Sequence, residues 1–260
     1  MTEHLILVTR VAAVMTLTLN RPAVMNSFTT AMHTQLLAGL NQAANDSSVH
    51  CVVITGSGWG FCAGQDLGDP LAAPGQDLGV LLTAYYRPLV QRIRSMPVPV
   101  IAAVNGVAAG AGANLAFCCD LVIAARSANF IQAFSKIGLV PDTGGSWLLP
   151  RLVGHARAMG LMLLGQKLSA SDAERMGLIW QCVDDDVFSS TAAALAEKLA
   201  GMPTQALVAT RAALEKAQDL DLDGALIMEA QLQTRLGSAH DYLEGVEAFR
   251  HKRAAVFTDR

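Results

Sequence analysis

Charge is scarce in this chain. Only 16% of its 260 residues are Asp, Glu, Lys or Arg, the formal balance is -3, and aromatic residues make up 5%. Nothing there builds a positive field interleaved with stacking rings, so nucleic acid is disfavoured as a partner. Between Arg94 and Asp120 no charged residue occurs at all, a run long enough to span a bilayer. Pro97, Pro99, Asn105, Gly106, Gly110, Gly112 and Asn114 cut that run into pieces, and no membrane span is expected. The five cysteines form an odd set without CxxC spacing, which implies buried thiols rather than a disulfide frame or a zinc site, and no metal is expected. A phosphate loop ending in Gly-Lys-Ser/Thr is missing. The N-terminal "MTEHLILVTR" has Glu3 where a secretory leader would carry positive charge, so a cytoplasmic location is expected.

Apolar residues, at 52%, are abundant, enough for one large core or a core with a smaller lobe. "VMTLTLN" (Val14 to Asn20) alternates with the period of a half-buried strand. Thr29 opens a helix whose apolar stripe is Met32, Leu36, Leu40 and Ala43, and "NDSS" closes it before the β-branched "CVVIT" (Cys51 to Thr55). A helix over about 80–94, the strand "VIAAV" and a strand at Asp120 to Ala125 follow. Strands alternating with helices at this spacing predict an α/β core with parallel strands. From about Ser169 the texture turns helical, apart from "IWQCV". One helix carries Leu222, Ala225, Leu226, Leu232 and Leu236, and another opens at Ser238, with Asp241 completing a capping box.

Two glycine-rich loops follow strands: "TGSGWGFCAGQDL" (Thr55 to Leu67) and "NGVAAGAGANLAF" (Asn105 to Phe117). Each reads either as a tight strand-to-helix turn or as a place where backbone comes close to a ligand and helix-start amides face developing negative charge. A dinucleotide fold is excluded: Gly106, Gly110 and Gly112 are spaced G-x-x-x-G-x-G, mid-chain, with no acid about twenty positions on. A third segment, "SKIGLVPDTGGSW" (Ser135 to Trp147), sets one acid, Asp142, among apolar neighbours. It is either the N-cap of the following helix or a base in an apolar cleft.

"FCAGQDL", "VNGVAAGAGANLAFCCDLVIAA" and "IGLVPDTGGSWLLPRLVG" resemble, in order, the signature segments of the enoyl-CoA hydratase/isomerase, or crotonase, superfamily. "LTLNRP" and "KRAAVFTDR" fit its terminal patterns, so the likeness covers essentially the whole chain. "FCAGQDL", "AFSKIGLVPDTGGSWLLPR" and "ARAMGLMLLG" are most similar to the branch that isomerises ring-epoxidised phenylacetyl-CoA. The resemblance implies an α/β fold: a crotonase-like spiral of repeated strand-strand-helix units over 1–195 and a C-terminal helical trimerisation lobe over 196–260. It also implies assembly as a homotrimer or a dimer of trimers. The implied substrate is an acyl-CoA thioester, with coenzyme A part of the substrate and no separate cofactor.

The same resemblance implies site roles. Amides of Gln65 and Ala111 would form an oxyanion hole, with Asp142 as the catalytic base of an isomerase. Ala23, Ala63, Gly64, Asp66, Leu67, Gly110, Gly112, Asn114, Phe134 and Trp147 would contact substrate, and Lys252 the CoA phosphates. Asp66 more often reads as a turn cap and Arg250, Lys252 and Arg253 as a solvated face, while Trp147 and Phe134 read as core or acyl-pocket wall. Hydratases of the superfamily place two glutamates around the attacking water; at the matching positions stand Asn114 and Phe134, which puts efficient hydration in doubt. Rival readings are an enoyl-CoA hydratase and a non-catalytic acyl-CoA-binding or RNA-binding relative. The retained acid and the negative balance weigh against the latter.

Overall fold

The structure, a computed structural model, describes residues 4–260. Its first elements follow the two periods in the sequence. In β2 (Val14–Leu19), antiparallel to β1 (Ile6–Val11), Met15, Leu17 and Leu19 are buried while Val14, Thr16 and Thr18 stay half-exposed, as side chains alternate across a strand. In α1 (Thr30–Asn45) Met32, Leu36, Leu40 and Ala43 are fully buried, and the Thr29 side chain accepts the Met32 amide at the helix start. That bond satisfies one of the donors a helix start leaves free.

Next come β3 (Cys51–Gly56) and β4 (Gly60–Cys62), then a helical segment built of α2 (Leu78–Leu81), a π-helical turn (Leu82–Tyr86) and α3 (Arg87–Arg94). The helix expected over 80–94 is therefore interrupted by a wider turn. β5 (Val100–Val104), β6 (Val107–Ala109) and α4 (Ala111–Phe117) repeat the succession, and β7 (Leu121–Ala125), β8 (Asn129–Ile131), α5 (Gly145–Val153) and α6 (His155–Leu164) repeat it again. β9 (Lys167–Ser169), α7 (Ala170–Arg175) and β10 (Gln181–Val183) complete the sheets. One sheet runs β1-β2-β3-β5-β7-β10 and is parallel from β2 onward; the other runs β4-β6-β8-β9 and is parallel except at β9. β3, β5 and β7 of the first sheet thus each hand over to a short strand of the second and then to a helix. This α/β arrangement brings β4, β6 and β8 side by side.

α8 (Asp185–Ala200) lays Ala192 and Ala196 on the first sheet against Cys51, Val53 and Ile101, so a lobe boundary between residues 195 and 196 falls inside this helix. α9 (Thr204–Ala217) is tied to the core by Arg211, which donates to Asp120 at 2.9 Å. α10 (Leu222–Leu236) fully buries none of its residues: of the expected stripe Leu222 and Leu226 are exposed, and Ala225, Leu232 and Leu236 are half-buried. The capping box expected at Ser238 does not form. α11 (His240–Arg250) starts after Ala239, the Ser238 hydroxyl donates back to the Arg235 carbonyl, and the Asp241 carboxylate accepts the Thr258 and Asp259 amides of the tail. Tail contacts, invisible to local pattern, took over that acid. Among the described residues no helix is long and apolar enough to cross a membrane.

Two glycines report opposite packing. A Cβ on Gly112, in α4, would stand 2.7 Å from Cys62 Cβ and 2.8 Å from its Sγ, whereas one on Gly160, in α6, would meet nothing within 4 Å. Gly112→Ala is expected to destabilise the fold by about 1–3 kcal/mol through overpacking, and Gly160→Ala to stabilise it by about 0.5–1 kcal/mol. Urea unfolding of the two variants checks both signs.

Candidate active site

The first loop leaves β4 and turns at Gly64, whose φ of +95° is open to glycine at little cost. A Cβ there would lie 2.9 Å from the Ala109 carbonyl oxygen and 3.5 Å from the Ala111 nitrogen. The absent side chain is what lets the two glycine loops touch. Phe28 then clamps the loop from outside, donating its N–H to Gly64 (2.7 Å) and accepting the Asp66 N–H (2.8 Å). In such a bridge the residue between, Gln65, turns its own N–H and carbonyl away from Phe28.

The second loop leaves β6 through Gly110, at φ 53° and ψ -124°, which donates its N–H to Ile131 and opens α4. Ala111 is the first residue of that helix, so its N–H has no intrahelical acceptor. Gln65 and Ala111, one from each loop, line the same cavity. Close packing of α4 on the first loop, at Gly112 against Cys62, fixes their separation.

Asp142 stands on the loop before α5. It does not cap that helix: the N-cap is Gly144, no side chain bonds the helix-start amides, and only the Asp142 carbonyl accepts the Gly145 N–H (2.8 Å). Thr143 (φ 52°) and Gly144 (φ 80°) turn the chain with two left-handed residues in succession, leaving the carboxylate free of the helix. Its partner is the Thr143 hydroxyl, which donates at 2.7 Å. Burial raises the Asp142 pKa from 3.8 to about 6, against the opposing pull of that hydrogen bond.

The expected residues separate into groups. Ala63, Gly64, Gln65, Leu67, Gly110, Ala111, Phe134 and Asp142 line one cavity of about 870 Å³, whose other walls are mostly apolar. Asn114 and Gly112 do not reach it. Asn114 is fully buried and acts as a strut, donating to the Asp142 carbonyl (2.8 Å) and accepting from Gln132 (2.8 Å). A Cβ on Gly145 would run into the Asn114 amide, so this glycine is required for the strut. Asp66 is committed elsewhere: its carboxylate accepts the Gly68 N–H and pairs with Arg21, both at 2.9 Å. Those partners hold its pKa below the usual value, the Gly68 amide contributing most. Trp147 is misplaced by the expectation. It lies outside the Asp142 cavity, in a separate one of about 380 Å³, with the Arg151 guanidinium 4.1 Å from its ring centroid. Ala23, in a surface 3-10 turn, and Lys252 are both exposed and line no part of the Asp142 cavity in the single chain.

Two residues of the site carry no motif in the sequence. Tyr86 lines the cavity while only 2% exposed, and its hydroxyl donates to Gln65 Oε1 at 2.9 Å. His33 packs edge-on against it, with ring centroids 4.2 Å apart, and burial lowers its pKa to about 4, so it is neutral. Neither sits in a glycine or proline motif, and an aromatic on a helix reads as core. The doubled "YY" just before Arg87-Pro88 is the one local signal, since proline disturbs the helix that carries it.

Comparison with known proteins gives a consistent result. The profile of the family described as "Enoyl-CoA hydratase/isomerase" matches residues 9–260. The chain is 52% identical over 250 residues to 1,2-epoxyphenylacetyl-CoA isomerase of Escherichia coli, covering 95% of each chain. It is 50% identical over 244 residues to a probable enoyl-CoA hydratase of Rhodobacter capsulatus, covering 94% of each. The crystal structure of enoyl-CoA hydratase from Bacillus anthracis superposes with a TM-score of 0.91 at 31% identity, covering 98% of this chain and 100% of that one.

The Asp142 pKa has a consequence for stability. Because the folded value, about 6, lies above the ordinary 3.8, the folded state holds this proton more tightly. The stability gained is present below the unfolded pKa and lost as pH rises through the folded one. Asp142→Asn, which never ionises, should therefore gain thermal stability over the wild type as pH rises from about 4 to about 8. Melting curves at the two pH values check this; a constant difference contradicts it.

Proposed function

The chain belongs to the enoyl-CoA hydratase/isomerase family, and we propose that it is an acyl-CoA isomerase of the 2-(1,2-epoxy-1,2-dihydrophenyl)acetyl-CoA isomerase type. On this reading it also shifts 3-enoyl-CoA thioesters to 2-enoyl-CoA. The observation that carries the reading is that Asp142 is the sole carboxylate among the described residues lining the cavity. Hydration needs a second group to activate and orient water, and the two positions where hydratases of the family carry glutamates hold the strut Asn114 and the apolar Phe134. Isomerisation needs one group that takes a proton from one carbon and returns it to another.

The chemistry is that of an enolate. The thioester oxygen sits between the Gln65 and Ala111 amides. As Asp142 removes a proton from the carbon next to the carbonyl, charge moves onto that oxygen, where prearranged donors stabilise it by about 3 kcal/mol each. The conjugate acid of Asp142 then protonates the far carbon of the allylic system. An acid with a pKa of about 6 is a stronger base toward carbon than an ordinary carboxylate and is still ionised near neutrality. For the ring-epoxidised phenylacetyl thioester the same enolate is the entry to an oxepin-type product. Coenzyme A enters as part of the substrate itself. Open apolar residues of the C-terminal helices, Leu222, Leu226 and Phe249 among them, support self-association, and the assembly proposed is a trimer or a dimer of trimers in the cytoplasm. The 50% identity to a probable hydratase keeps water addition as the competing activity to be measured.

Incubation with ring-epoxidised phenylacetyl-CoA, a linear 3-enoyl-CoA and a 2-enoyl-CoA, with products identified by ultraviolet spectra and mass, discriminates the two. Isomerisation of the first two and slow hydration of the third are expected. Asp142→Asn should fold and bind the thioesters but lose turnover by about 10²–10⁴-fold. Near-normal turnover of that variant, or hydration outpacing isomerisation, overturns the proposal.

A further inference from the structure

We infer that Tyr86 is a positioning residue for the reaction, holding the Gln65 side chain so that the Gln65 N–H stays aimed at the thioester oxygen. This rests on the reading of that N–H as an oxyanion donor. It begins in the helix that carries Tyr86. Pro88 has no N–H, so the ladder loses a donor there, and the preceding turn is π-helical, with Arg87 N–H bonding the Leu82 carbonyl five residues back. One extra residue in a turn rotates the downstream residues by roughly 100° relative to an uninterrupted α-helix. The outcome is a buried Tyr86 beside a half-exposed Tyr85.

Three contacts then fix the phenol. His33 meets its ring edge at 4.2 Å, and Phe28 lies at 6.1 Å with planes 78° apart. Phe28 is also the residue whose main chain clamps Gly64 and Asp66. Gln65 is thus gripped twice, its backbone by Phe28 and its side chain by the Tyr86 hydroxyl at 2.9 Å. The same side chain also bonds the Asp66 carbonyl through Nε2 at 3.3 Å and meets the His33 ring. Burial, and after it the Asp142 charge, raise the Tyr86 pKa well above 10, so the hydroxyl remains a donor throughout turnover. An ordinary core tyrosine also finds a partner for its hydroxyl; here the partner belongs to the residue whose backbone faces the reacting group.

The test is a cycle of Tyr86→Phe, Gln65→Met and the double variant, each checked for wild-type circular dichroism and melting. Two readouts are used: kcat and KM for 3-enoyl-CoA isomerisation, and the absorption of a bound cinnamoyl-CoA thioester, which moves to the red as its carbonyl is polarised. Expected are a fall in kcat of about 10–100-fold for Tyr86→Phe with KM within about threefold, and a smaller red shift at unchanged affinity. The double variant should lose no more than the worse single one, because both act through one contact. Unchanged kcat, a rise in KM alone, or losses that multiply overturn the inference. If Tyr86→Phe does not fold, the Gln65→Met red shift decides: one equal to the wild type's rejects the positioning role. Asp142→Asn run alongside separates the two levels. If it abolishes turnover while Tyr86→Phe is normal, only the positioning role falls; if it too is normal, the underlying reading falls with it.

Discussion

The contact between Gly64 and the Ala109–Ala111 turn is the constraint on which the rest of the site depends. Two loops from neighbouring strands can present two N–H groups to one oxygen only if their backbones approach to van der Waals distance, and any Cβ at residue 64 would meet the Ala109 carbonyl. The tightness continues behind the loops, where Gly112 rests on Cys62. Donors held this way need no reorganisation when charge develops, which is why prearranged amides contribute more than flexible side chains would. Such donors also leave no side-chain signature beyond small residues.

Against this rigid half stands a single acid kept at a cost. Burial destabilises its ionised form, as its pKa of about 6 reports, and no cation among the described residues offsets that cost; the Thr143 hydroxyl, and after it the residue's own backbone amide, do so in part. Two left-handed residues, Thr143 and Gly144, keep the carboxylate from relaxing onto the helix start, where a cap would have lowered its pKa and its basicity together. Asn114 ties the loop's carbonyl to α4, so the acid and the amide donor of Ala111 are carried on elements braced against each other. Asn114 serves geometry rather than the cavity itself.

Much of this was legible in the sequence, for identifiable reasons. Alternation in Val14–Leu19 and the stripe of α1 are local patterns, and both glycine loops announce themselves because close backbone approach excludes larger residues. Asp142 was visible as an acid in apolar company, though its release from helix capping depends on the φ values of its neighbours. What the sequence could not convey were contacts between distant elements. Trp147 looked like a pocket residue but stacks with Arg151 in a separate cavity. Asn114 looked like a ligand contact but is a strut, and Ser238 lost its capping role to a tail that occupies Asp241. Tyr86 escapes the local pattern because a π turn sets its position, which a period of 3.6 does not register.

A crystal structure of the Asp142→Asn variant with a 3-enoyl-CoA trapped in the cavity tests the central claim most directly. The account predicts the thioester oxygen about 2.7–3.1 Å from both the Gln65 and Ala111 nitrogens, with the carbon next to the carbonyl facing residue 142. A thioester oxygen turned to solvent, or bound away from those two amides, would contradict it.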